Sequence, residues 1–285
     1  MQLLLTQIFA GLVSGAILVL LALGLNLIFG FLEIINFSHG AFFAVGAYAA
    51  FFLAARLGSF WVGVILVPLG MLVLGAAVER VLIKPLYGRN QVDTLLLTFG
   101  LTFVVVELIQ LLAGKSGKAV DPPPQLRFEI PLGPYHYPSY QVFVALLVAA
   151  TVAGLWVFLE RSSIGLIVRA GIRDNQMIRV LGVDFDRFRI VVFALGTALA
   201  GLAGVLISPI TTAYPEMGSD ILITTFVVVV VGGLGSYWGA VISGLVIGVL
   251  VSITSLYASI YAPIIPFVLM IVVMALRPRG LLGTA

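Results

Sequence analysis

Eight apolar runs, each bounded by charge or by a Gly/Pro cluster, dominate this chain and leave it few ways to fold. They lie near residues 8–29, 37–55, 60–79, 94–113, 139–159, 190–210, 220–253 and 258–276. A helix crosses a bilayer with roughly 20 apolar residues, and most of these runs match that length. The run at 220–253 is too long for one simple span and is interrupted by Gly232, Gly233, Gly235 and Gly239. It reads as two short segments meeting at a break. The expectation is an all-α, polytopic transmembrane helical bundle of eight or nine passes, with broken or re-entrant segments, in a single domain over 1–285.

Composition narrows the function classes. Only 9% of residues are charged against 61% hydrophobic, where soluble proteins carry about a quarter charged. With 285 residues there is little left for loops and none for a soluble catalytic domain, so any energy-consuming chemistry must be supplied by another subunit. The absence of cysteine excludes disulfides, thiolate metal sites and cysteine nucleophiles. His39 and His136 are too far apart in sequence to point to a metal centre. The run Leu3 to Phe29 has neither a basic flank nor a small-residue cleavage pattern and is expected to be the first span.

The basic residues set an orientation. Loop 80–93, loop 160–189 and the C-terminal end carry eleven of the fifteen, including Arg80, Lys84, Arg89, Arg277 and Arg279. By the positive-inside rule these face the cytoplasm. The remaining Arg56, Lys115, Lys118 and Arg127 then fall outside. This parity makes 220–253 a hairpin or re-entrant pair, with the N-terminus outside if the first break is a full turn. The segment 114–138 is unlike its surroundings, with six prolines. Its alternating Leu126, Phe128 and Ile130 read as a small strand pair closed by Pro131 to Pro134, an external cap loop. It is either a stiffened connector or a docking surface for an extracytoplasmic partner.

Two interruptions carry the candidate solute path. The first, near 29–43, places Glu33, Asn36, Ser38 and His39 before Gly40. Polar side chains at membrane depth are costly and normally face a bundle interior or a water-filled path. The second offers Gly232, Gly233, Gly235 and Ser236, and broken helices free backbone groups for a polar solute. Each has a bland alternative: Asn36 as the N-cap of the next helix, His39 as a hydrogen-bonded core residue, and the glycines as close-packing positions. Glu107, near the outer end of its span, is a weaker candidate because a carboxylate there reaches water cheaply. Gly114-Lys115-Ser116 resembles the end of a phosphate-binding loop, but Ile109 stands where its first glycine is required. Gly233, Gly235 and Gly239 miss the dinucleotide-binding spacing. No catalytic motif is present, and no enzyme is expected.

The segment 160–189 is the one long charged island, with six arginines and four acids. Asp174 is placed as an N-cap, Asn175 to Leu181 as a two-turn helix about 10 Å long, and Gly182 as its stop. Met177, Ile178 and Leu181 would present an apolar side, with Arg169, Arg173 and Arg179 around it. So short a helix is unstable alone and needs a groove on a partner; the alternative is a basic loop lying on anionic headgroups.

Three blocks in matching order carry a family resemblance: GFLEIINFSHGAFFAVGAY at 30–48, GLIVRAGIRDNQMIRVLGVDFDRFR at 165–189 running into AGLAG at 200–204, and FVVVVVGGLGSYWGAVISG at 226–244. The chain resembles the shorter permease of bacterial ATP-binding-cassette importers for branched-chain amino acids. That resemblance implies two cytoplasmic ATPase subunits holding ATP and magnesium, a second permease, an extracytoplasmic solute-binding protein and a place in the bacterial inner membrane. The island becomes the ATPase coupling segment, with Gly182 as its loop glycine, and the cap becomes a contact for the binding protein. Related permeases for sugars keep another small polar solute open as the cargo. A secondary transporter or channel is the reading from a different class; it gives the island no task.

Overall fold

The computed structural model describes residues 2–132, 135–173 and 184–283. The chain is helical almost throughout: α1 (Gln2–Leu32), α2 (Ser38–Leu57), α3 (Phe60–Val78), α4 (Gln91–Ala113), α5 (Ser139–Arg161), α6 (Ser163–Arg173), α7 (Phe185–Ile207), α8 (Met217–Gly232), α9 (Tyr237–Ala258) and α10 (Ile265–Leu276). Among the described residues one antiparallel strand pair interrupts it, β1 (Glu129–Leu132) with β2 (Tyr135–Pro138), Glu129 lying opposite Pro138 and Ile130 opposite Tyr137. The strand pair is where the alternation placed it, but it begins at Glu129. Leu126 instead closes a short 3-10 turn, because Pro123 and Pro124 set the backbone there.

Seven segments of the described residues are long and apolar enough to cross a membrane. The last, Tyr237–Leu276, contains α9, a 3-10 turn at Ser259–Ile264 and α10. Pro263 and Pro266 break the helix there, leaving α10 with 12 residues, about 18 Å. The long apolar run does divide at its glycines. Its first half, α8, has 16 residues, whereas the second, α9, has 22 and is of full membrane length.

The centre of the bundle is α1 and α7, buried over 72% and 78% of their most apolar stretches, against 11% for α4. Small residues let these backbones close. A Cβ added at Gly15 would lie 2.8 Å from the Gly244 carbonyl oxygen, joining α1 to α9, and one at Gly46 would lie 2.3 Å from the Gly201 carbonyl, joining α2 to α7. In lipid, where apolar burial gives helices no net attraction, such close packing is what holds them together.

The basic sites separate as charge predicted. At one end Lys84 pairs with Asp186 at 3.1 Å, the Arg189 guanidinium lies 3.8 Å from the Tyr87 ring centre, and Phe31 stacks on Phe185. The C-terminal tail joins the same end, Leu281 N–H donating to Val231 O at 2.8 Å. The opposite end holds the cap. Lys118 and Ala213 exchange two 2.8 Å backbone bonds there, and Tyr137 packs edge-on to Phe9 of α1.

Candidate functional site

The first interruption runs from Glu33 to Phe37. Glu33 N–H still donates to Phe29 O at 2.9 Å, and its φ of 57° ends α1 in the left-handed conformation usually left to glycine. A non-glycine residue there costs roughly 1–2 kcal/mol, and the Glu33 side chain is exposed. The connector's backbone is satisfied from α4, whose Thr94, Thr98 and Thr102 recur every fourth residue on one buried stripe. Phe37 N–H donates to Thr98 Oγ1 at 3.2 Å, and Thr102 Oγ1 donates to Phe37 O at 3.2 Å. Thr98→Val is expected to destabilise the detergent-solubilised protein by about 1–2 kcal/mol through the orphaned Phe37 N–H. An unchanged melting temperature would show that another group satisfies that donor.

Asn36 and Ser38 are fully buried together. Asn36 Oδ1 accepts from Ser38 N–H at 3.1 Å and from Ser38 Oγ at 2.6 Å. Phe37, in helical conformation, occupies the N-cap position of α2, so Asn36 caps from one residue further back than its sequence position implied. Because a backbone N–H can only donate, Oδ1 is fixed as the acceptor. Asn36 Nδ2 is then a buried donor with no partner among the described residues. His39 Nε2 donates to Leu21 O of α1 at 3.0 Å, which leaves Nδ1 buried and without a partner among the described residues.

The second interruption is a tight turn from α8 to α9. Gly233 and Gly235 adopt φ of 101° and 78°, closed to most side chains. Ser236 caps α9, its Oγ accepting from Gly239 N–H at 3.1 Å. The residue that holds the turn is one the hydropathy pattern concealed. Asn26, buried within α1, accepts from Gly235 N–H at 2.7 Å and donates to Ser236 O at 2.8 Å. It is the one asparagine inside the first apolar run, and that isolation was the available signal. Gly232 and Gly233 lie deeper, against Gly239 and the C-terminal Gly283 respectively.

A cleft of about 630 Å³ opens beside this turn, lined by Asn26, Trp156, Glu160, Arg169, Ser236 and Trp238 among others. Gly235 and Ser236 line it; Glu33, Asn36, Ser38 and His39 do not. The two interruptions are thus joined through α1, and Gly30 approaches Gly235 to 3.4 Å from an added Cβ.

The first part of the island is α6, a helix that sequence reasoning did not anticipate. Its Val168 and Gly171 are buried, with Gly171 against the Phe31 ring. Arg169 pairs with Glu160 at the end of α5. Ile172 is wedged between helices, its side chain 3.5 Å from a Cβ placed at Gly30 and 3.4 Å from one at Gly235. Arg173 ends α6. Asp174, Met177, Ile178, Arg179, Leu181 and Gly182 lie outside the described residues.

Residues 7–274 match the family described as "Branched-chain amino acid transport system / permease component". The chain is 30% identical to the high-affinity branched-chain amino acid transport system permease protein BraD of Pseudomonas aeruginosa, across 98% of this chain and 95% of that one. It is 28% identical to LivH of Escherichia coli, with the same two coverages. LivM of Salmonella typhimurium is 27% identical, over 93% of this chain but 68% of its own length.

Proposed function

Since this chain belongs to the family of branched-chain amino acid transport permease components, we propose that it is the shorter of two permeases in an ATP-driven importer. The observation that carries this is the near full-length match to BraD and LivH, beside a match to only 68% of LivM. It is a multi-pass permease of the bacterial inner membrane. In this reading two cytoplasmic ATPase subunits hydrolyse ATP with magnesium, a second permease completes the pore, and an extracytoplasmic binding protein delivers the amino acid. The single domain 1–285 makes eight or nine passes, with α8 and α10 the short segments. Its 114–138 cap meets the binding protein and its 160–189 loop meets an ATPase.

A zwitterion buried in hydrocarbon without partners costs many kcal/mol, so the path must lend it polar groups. The proposed lining is Glu33, Asn36, Ser38 and His39 from the first interruption and Gly232, Gly233, Gly235 and Ser236 from the second. The unpartnered Asn36 Nδ2 is the group that most supports this lining. Coupling falls to Arg169, Arg173, Asp174, Met177, Ile178, Leu181 and Gly182. When the ATPases close, the island moves α6, and Ile172 passes that motion to the end of α1 and the α8–α9 turn together. An apolar pocket resolves one methylene by only about 1–3 kcal/mol, so discrimination rests mainly on the binding protein.

The test is leucine uptake by the assembled importer in proteoliposomes. Wild type should require ATP and the binding protein. Gly182→Trp should keep ATP hydrolysis while uptake falls about tenfold or more, equivalent to about 1.4 kcal/mol of lost coupling. Uptake without nucleotide would refute the importer reading, and unimpaired Gly182→Trp would refute the coupling assignment.

A further inference from the structure

A second cleft, of about 570 Å³, lies at the cap end between α1, α8, α9 and the start of α10. Its size falls within the range of small-molecule sites. Its lining combines Ser14, Asp220, Thr224 and Ser255 with the apolar Ile223 and Phe267. The hydroxyls are the informative part. Elsewhere in the spans Thr151, Thr197, Thr225 and Ser243 donate back to the carbonyl four residues earlier in their own helix. Ser14, Thr224 and Ser255 make no such bond among the described residues, so three hydroxyls at one cleft keep their hydrogen-bonding capacity.

Asp220 supplies charge. Its place in the first turn of α8 suits a carboxylate through the helix dipole, and Tyr214 Oη donates to its Oδ2 at 2.7 Å. Burial, and then the bond to Asp220, push the Tyr214 phenol up to about 12, so it remains a donor at neutral pH. That bond orients the carboxylate and leaves Oδ1 available. Among the described residues no basic side chain lines the cleft to compensate it. An anionic oxygen, unclaimed hydroxyls and an apolar wall are complementary to a small primary ammonium compound that bears a carboxylate and an aliphatic tail.

We infer that this cleft receives the free α-amino acid as it enters the permease, the ammonium on Asp220, the carboxylate on the hydroxyls and the branched side chain against Ile223 and Phe267. The inference rests on the branched-chain amino acid reading above. The chain has no cysteine, so Ser255→Cys introduces its only thiol. The assembled importer carrying that change is placed in vesicles free of aminophospholipid and treated with a trimethylammonium-bearing methanethiosulfonate, with modification of this chain followed by mass. Leucine should slow labelling, and 4-methylpentanoate, which lacks the ammonium, should not. Asp220→Asn should raise the protecting leucine concentration about tenfold or more, the share of one charge-assisted hydrogen bond. Thr224→Cys provides the same readout if Ser255→Cys fails to assemble. Equal labelling with and without leucine, in an importer that takes up leucine, would overturn the site. So would protection by an ethanolamine phospholipid alone, which would make the cleft a lipid seat. Failure of wild type to take up leucine would instead overturn the underlying function.

Discussion

Gly218→Val is expected to leave almost no assembled permease in the membrane, and Gly40→Val the same. The two glycines face each other where α2 meets α8: a Cβ on Gly40 would lie 2.0 Å from the Gly218 carbonyl oxygen, and one on Gly218 would lie 2.2 Å from that of Gly40. Overpacking a core of side chains costs about 1–3 kcal/mol because the neighbours can change rotamer. Backbone cannot, so the helices must part, and every contact along that seam is lengthened at once. A loss at or above about 4 kcal/mol is expected, a large part of the roughly 5–15 kcal/mol that folded proteins have. The measurement is the yield of monodisperse protein after detergent extraction, with Gly70→Ala as the control. None of the described residues comes within 4 Å of a Cβ at Gly70, so that change should be neutral or gain up to about 1 kcal/mol in helix propensity. A well-expressed, transporting Gly218→Val protein would mean that the α2–α8 approach is looser than described.

Asn26→Leu should stop transport while much of the protein still folds. It removes the acceptor for Gly235 N–H and the donor for Ser236 O in one step. Two orphaned backbone groups would cost about 2–6 kcal/mol if sealed from water. The adjoining cleft admits water to the turn, so the lower end of that range applies to stability. The effect on uptake should be larger, because the turn then loses its register to α1. Asn26→Asp separates the two bonds: it keeps an acceptor for Gly235 N–H and replaces the donor to Ser236 O with a repelling oxygen. Uptake reduced about tenfold or more in both variants, with stability lowered by about 2 kcal/mol or less, is the expected pattern. Wild-type uptake by Asn26→Leu would show that the turn positions itself.

Much of this architecture was legible because helices in lipid satisfy their own backbone, so apolar length alone locates them. Most span positions follow from that, and so does the division at Gly233 to Ser236. Rank within the bundle does not follow. The α1 and α4 segments have mean hydropathies of 2.6 and 2.2, yet one is central and the other peripheral. Lipid tails and neighbouring helices reward the same side chains, so hydropathy cannot tell a core face from a lipid face. The better signal is small residues, and α1 carries Gly11, Gly15 and Gly24 at its closest contacts. Asn26 was hidden for a related reason, since one amide disappears in the average of a long apolar run. The candidate site was legible as two interruptions, but not as a pair linked through α1. That linkage depends on Gly30, Ile172 and Gly235, which are far apart in the chain.

The threonine stripe on α4 has a mechanical consequence. A helix turn opens only by giving up several mutually reinforcing backbone bonds, whereas the strip of chain between α1 and α2 is pinned by two hydroxyls, those of Thr98 and Thr102, through bonds of 3.2–3.4 Å. A visiting water or solute can displace one hydroxyl while the other still holds. The permease therefore joins its first two helices by a hem of two stitches, which can be unpicked and resewn while the helices on either side stay wound.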